Sequence, residues 1–187
     1  MNNGITKITY AHDVTLVTLS SLPCDSTAVA GVLTAMSAGN INVDMISQTA
    51  PQGGALRLSF SLSDHSLGSA LSILGKIRSE NPDVKPEILP GNCKVSLYDE
   101  NMVNTPGVAA KVFTLLADAG IQVILVTTSE VDISLLISAH SLTDALAVMS
   151  EAYGVEPIQN EFKLIVLQSL LTAKAGTDCV PALFASS

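Results

Sequence analysis

Residues 28–43 read AVAGVLTAMSAGNINV, and residues 108–123 read VAAKVFTLLADAGIQV. The two stretches align without a gap, pairing Ala30 with Ala110, Val32 with Val112, Thr34 with Thr114, Ile41 with Ile121 and Val43 with Val123. Asn42 falls opposite Gln122, a chemically similar pair. A second anchor follows: His65-Ser66-Leu67 with Ala70-Leu71 recurs as His140-Ser141-Leu142 with Ala145-Leu146. The chain is therefore an internal duplication, and such a repeat decides the architecture before any single element does. The second copy is shorter between the anchors. The turn-rich Ala50-Pro51-Gln52-Gly53-Gly54 of the first has only Thr128-Ser129-Glu130 as counterpart, which places the difference in a hairpin loop.

Working outward, each copy has a readable order. Residues 14–19 (VTLVTL) are β-branched and aliphatic, the mark of a strand. Residues 28–38 carry Val29, Val32, Leu33 and Met36 at helical spacing, and Gly39-Asn40 supplies a stop. Residues 41–48 and 55–62 make a hairpin. Ser63-Asp64 caps a helix bearing Leu67, Leu71, Leu74 and Ile77, and residues 84–89 give a short edge strand. The second copy repeats this with a strand at 94–98, a helix at 106–119, a hairpin of 121–128 with 131–137, a helix at 141–153 and a last strand within 156–167. The order β-α-β-β-α-β, twice, predicts an α+β protein of two ferredoxin-like βαββαβ units, antiparallel sheets with helices on one face. The expected division is 1–12 as an entry strand or linker, 13–91 and 92–168 as the units, and 169–187 as a tail. Units of about 70 residues have marginal cores alone, so they are expected to pack on one another or dimerise.

Composition narrows the function. The 187 residues carry a net charge of −8, with no Lys/Arg cluster, so nucleic acid is not an expected partner. The opening Met1-Asn2-Asn3-Gly4 has no apolar leader, and runs such as 121–126 are far short of the ~20 residues that span a bilayer. A cytoplasmic protein is expected, with no membrane partner. Cys24, Cys93 and Cys179 are far apart and fit neither a CxxC nor a zinc spacing. No catalytic residue, metal site or cofactor is expected: phosphate-loop, HExxH and GxSxG patterns are absent, and the carboxylates are scattered. His65 and His140 recur at equivalent helix starts, which reads as architecture.

Two regions could bind a ligand. Asn104-Thr105-Pro106-Gly107-Val108 leads from strand to helix, where exposed backbone N–H groups suit a carboxylate. A plain turn and cap accounts for these residues equally well. The strand starts Asn42-Val43-Asp44 and Gln122-Val123-Ile124 could grip an α-amino group. Asp44, a charge in an otherwise apolar strand, is either an exposed edge position or a ligand contact.

These same residues carry a resemblance. Asn42-Val43-Asp44-Met45-Ile46-Ser47-Gln48 resembles the N-[IV]-D-M-[IV]-x-Q segment of the first ACT domain of aspartate kinases. Residues 105–113, beginning Thr105-Pro106-Gly107-Val108-Ala109-Ala110, resemble the HPGVAA-x-x-F segment of the second. Residues 127–134 look like its S-T-S-E-I-x-I-S strand pair, and Ile5-Thr6-Lys7-Ile8-Thr9-Tyr10 looks like the entering strand. The resemblance runs from about residue 4 to 155. It implies a regulatory region that binds an end-product amino acid, lysine or threonine, and restrains a kinase acting on aspartate, with a homodimer formed through the ACT domains and a kinase domain or subunit as partner. That kinase domain lies N-terminal in the family and has no counterpart here, which implies either a fragment or a separately initiated small subunit.

The effector contacts so implied are Asp25, Thr27, Ala28, Asn42, Val43, Asp44, Gln48, Pro106, Gly107, Val108, Gln122, Val123, Ser129 and Glu130, with Asp44, Gln48 and Gly107 lining the pocket. There are departures. Cys24-Asp25-Ser26-Thr27 stands where the first domain usually has D-K-P-G, Thr105 replaces a histidine, and Gln122 with Ile124 replaces Asn and a polar residue. An altered first pocket is the consequence. Alternatives are a stand-alone ACT sensor and a structural dimerisation module without ligand.

Overall fold

The computed structural model describes residues 4–160. The expected tail at 169–187, Cys179 and most of the last-strand segment lie outside the described residues. The elements run β1 (Lys7–Pro23), α1 (Ser26–Ala38), β2 (Asp44–Gln48), β3 (Ala55–Ser63), α2 (Leu67–Glu80), β4 (Lys85–Tyr98), α3 (Val108–Asp118), β5 (Val123–Thr128), β6 (Asp132–Ser138), α4 (Leu142–Tyr153) and β7 (Ile158–Gln159). A 3-10 turn precedes α2 (Asp64–Ser66), α3 (Met102–Asn104) and α4 (Ala139–Ser141).

The duplication is visible in the burial. Val32 and Met36 of α1 are buried like their counterparts Val112 and Leu116 of α3, as Ile41 is with Ile121. Ala70 and Leu74 of α2 match Ala145 and Met149 of α4. These residues press each helix pair onto one sheet face, forming one core around Phe60, Leu58 and Leu62 and another around Leu135, Ile133 and Val95. His65 and His140 are exposed in their turns, each amide donating to the preceding Ser63 or Ser138 hydroxyl. Equivalent serines cap the equivalent 3-10 turns that lead into α2 and α4.

The strands depart from the sequence reading in one respect that matters. The entry strand and the 14–19 strand are one element, β1, and the 84–89 and 94–98 strands are one element, β4. The sheet order is β2-β3-β1-β4-β6-β5, with β7 parallel to β1 and the other pairings antiparallel. The first half of β1 (Lys7 to Ala11) pairs with the second half of β4 (Lys94 to Tyr98), and the second half of β1 with the first half of β4. Each unit therefore takes one strand half from each. The entry segment contributes Ile5 and Ile8 to the second core, alongside Leu97 and Val108.

The two halves of each long strand are separated by a break rather than a turn. Asp13 has φ 58 and Gly91 φ 75, and the pairing slips on both sides of Val14, which lies opposite Asn92. Such irregularities bend a strand and increase its twist. Buried Asn92 spans the break, its side-chain amide donating to the Val14 carbonyl at 3.2 Å and the Leu89 carbonyl at 2.6 Å. With both strands bent at one point, the helix-free faces turn toward each other. Val14, Leu16, Met45 and Leu136 form a small third cluster there, packed against Ile124 and Leu125.

Candidate functional site

Chain direction dictates where the candidate residues fall. In a βαββαβ unit the first helix begins where the first strand ends, and the second strand begins at the helix's far end. α1 has 13 residues, so its ends lie roughly 20 Å apart. Asp25, Thr27 and Ala28 stand at one end with Gln48, while Asn42, Val43 and Asp44 stand at the other. In the second unit Pro106, Gly107 and Val108 share an end with Ser129 and Glu130, and Gln122 and Val123 lie at the opposite one. Because β1 and β4 run antiparallel through both units, the two loop ends point away from each other. The two strand starts meet in the middle.

The candidates thus form three groups, not one. A pocket holding Asp44, Gln48 and Gly107 together does not form within a single chain: Asp44 belongs to the middle, whereas Gly107 lies beyond the Tyr98 end of β4, more than about 13 Å further along the strand from Lys94.

At the first-unit end, Asp25 is the N-cap of α1. Its carboxylate accepts from the Ala28 amide at 2.8 Å and the Thr27 hydroxyl at 2.5 Å. These two bonds, the Thr27 one first, hold its carboxyl below the ordinary aspartate range. The Cys24 amide donates to the Gly54 carbonyl, so the cap loop sits against the hairpin tip.

At the second-unit end, the helix begins at Val108 rather than at Pro106 as the sequence suggested. Gly107 has φ 92 and ψ 0, which a helix cannot include but which matches the third position of a type II turn, with proline favoured at the second. No side chain caps α3 there. Ser129 turns the adjacent hairpin, its hydroxyl accepting from the Val131 and Asp132 amides, and Glu130 is exposed beside it. Sequence reasoning missed Asp99 in this loop. It is fully buried, with one carboxylate oxygen accepting from the Asn101 amide at 2.6 Å and the other without a hydrogen-bond partner among the described residues. No motif flags it; only the pattern of apolar Leu97, polar Tyr98 and inward Asp99 could have.

The middle group holds the most organised chemistry. Asp44 opens β2, and its carboxylate reaches Lys94 of β4, Oδ2 to Nζ at 2.5 Å, while Oδ1 accepts from the Met45 amide at 2.8 Å. Lys94, also not flagged by the sequence, is the partner from the other unit. The pairing of β2 with β3 slips between Asp44 and Ser47, and Met45 takes φ 43. Asn42 and Gln122 are exposed at the equivalent strand starts, with Val43 and Val123 half-buried beneath them. Nearby Cys93 is buried, 3.6 Å from His12 Nδ1, and burial pushes its thiol up, with Asp13 and Asp64 adding to the effect. That disfavours the reactive thiolate. Among the described residues, no group of three or more His, Cys, Asp or Glu is placed to hold a metal, and no helix is long and apolar enough to cross a membrane.

Comparison with known proteins places this arrangement. Residues 95–153 match the ACT domain family. The aspartokinase of Geobacillus stearothermophilus is 36% identical over 148 residues, covering 79% of this chain and 35% of that protein. The ligand-free regulatory subunit of aspartate kinase from Thermus thermophilus superposes with a TM-score of 0.74 at 28% identity, covering 80% of this chain and 99% of that one. A structure of aspartokinase alpha and beta subunits gives a TM-score of 0.72 at 28% identity, again covering 80% and 99%. The chain spans little more than a third of the length of the curated relatives it matches.

Proposed function

The chain belongs to the ACT regulatory region of the aspartokinase family, and from that premise we propose that it binds a free amino acid and relays its presence to a kinase that acts on aspartate. The effector in this reading is an aspartate-family end product, lysine or threonine. Binding restrains the kinase, and the sensor works as a homodimer in the cytoplasm alongside a kinase domain or subunit. The chain itself does no chemistry.

One observation carries the reading. Next to the strand starts Asn42-Val43-Asp44 and Gln122-Val123, Met45 of the first unit packs with Ile124 and Leu125 of the second, so that the Asp44 carboxylate, with the exposed Asn42 and Gln122 at the two strand starts, is on offer where the units touch. Those groups suit an amino acid, whose ammonium needs an acceptor and whose carboxylate needs donors. The structures of regulatory and paired subunits in this family are consistent with a kinase partner.

The test is a melting-shift screen with lysine, threonine and methionine on the wild type and on Asp44→Ala. A shift with one amino acid, reduced in the variant by a binding loss of roughly 1–3 kcal/mol, is expected if Asp44 makes a charged hydrogen bond. Unchanged binding by the variant removes Asp44 from the site. A second reading, a structural dimerisation module without ligand, draws on the internal pairing of the Asp44 carboxylate with Lys94. Absence of any shift favours it.

A further inference from the structure

Asp44 is occupied in the free chain, and its occupant has the chemistry of a ligand. Lys94 presents an ammonium group, three donors on a single positive centre, which is also what the α-amino end of a free amino acid presents. It sits 2.5 Å from Asp44 Oδ2. The pair joins β2 of the first unit to β4 in the part that belongs to the second, residues 50 apart in sequence. It is not sealed: 37% of the Asp44 side chain and 21% of the Lys94 side chain remain exposed, so a small molecule can reach the carboxylate.

The local backbone is bent to allow this contact. In a regular strand, neighbouring residues face opposite sides of the sheet. Here consecutive residues serve the same junction: Asp44 pairs with Lys94, while Met45 is buried against Val14, Leu16 and Leu136. The slip between Asp44 and Ser47 and the φ of 43 at Met45 make that possible, a conformation that costs free energy in a non-glycine residue and persists only where surrounding contacts enforce it. The strain, the ion pair and the third cluster coincide where the two units touch.

We propose that Lys94 is a resident competitor for ligand ammonium at Asp44, and thereby sets both the affinity of the site and its coupling to inter-unit contact. An amino acid binding through its ammonium group displaces the Lys94 ammonium, and the tie between β2 and β4 opens in the same step. The inference rests on the reading of Asp44 as a ligand contact.

The experiment is calorimetric titration of the full chain with L-lysine and L-threonine in three forms: wild type, Lys94→Met and Lys94→Arg. Lys94→Met keeps the apolar stem and removes the competing charge. It binds the amino acid roughly two- to five-fold more tightly than wild type, the range an ion pair of this exposure sustains, and melts at a lower temperature without ligand. Lys94→Arg behaves like wild type. In wild type, the Lys94 Nζ signal in an NMR titration moves as the ligand saturates. Equal or weaker binding by Lys94→Met, with wild-type binding intact, overturns the competitor role and leaves the amino-acid sensor standing. Absence of binding by all three forms overturns both.

Discussion

Asp25 and Asp44 are both carboxylates that the sequence offers to a ligand, and the folded chain uses both. Asp25 caps α1 through the Thr27 hydroxyl and the Ala28 amide, bonds that favour the ionised form. Its pKa is lowered on folding, so its contribution to stability is complete above the unfolded aspartate value of about 4 and is lost as pH falls through the lower folded value. Urea unfolding of wild type and Asp25→Asn, followed from about pH 6 to about pH 2, checks this, because asparagine caps without titrating. The advantage of wild type shrinks in the acid range; a difference constant with pH contradicts the assignment. The identity of the cap could be read from Cys24-Asp25-Ser26-Thr27, since aspartate before a helical run is a capping signal. That Asp44 meets Lys94 could not be read. The two are 50 residues apart, and nothing local in Cys93-Lys94-Val95 marks the lysine as facing another unit.

The long strands are where local signals and tertiary pairing disagree. The sequence reads as two strands, 84–89 and 94–98, one on either side of Pro90-Gly91-Asn92. In the fold, β1 lies alongside and supplies pairing on both sides of the break, so Gly91 at φ 75 becomes a bend within a strand. Asp13 does the same in β1. Asn92 ties the junction together, its side-chain amide donating to one carbonyl on each side of the break, that of Val14 in β1 and that of Leu89 in β4. Asn92→Ala removes both donors from a buried position and costs about 1–3 kcal/mol in urea unfolding. A loss below a few tenths of that figure shows the carbonyls to be solvated and the junction looser than described. The helices, by contrast, were legible to within about two residues, because Val29, Val32 and Met36, like Val108, Val112 and Leu115, combine three-, four- and seven-residue spacings that a helix gathers on one face and a strand splits between two. Pro106 was the exception. The preference of proline for a first helical turn is outweighed by Gly107, whose positive φ places both residues in a turn ahead of α3.

At the scale of the whole molecule, the duplication was visible in the sequence but the exchange of strand halves was not, since two separate repeats would show the same pattern of apolar residues. The exchange makes the units interdependent. Ile8 is fully buried in the second core although it precedes the first unit in the chain. Ile8→Ala therefore costs about 2–5 kcal/mol, and its hydrogen-exchange signature falls on β6 and α4 rather than on β2 and β3. Protection lost first in β2 and β3 contradicts the shared sheet. The same exchange sets the loop ends far apart and the strand starts near the middle of the sheet, which is why the candidate residues divide into three groups and why the proposed ammonium contact at Asp44 lies where the two units touch.

Calorimetric titration of the full chain with lysine and threonine decides whether this duplicated fold is an amino-acid sensor. Saturable heat is expected with one of them, with a stoichiometry that gives the number of working sites per chain. No heat with either, together with an unmoved melting temperature, contradicts it and leaves a structural module.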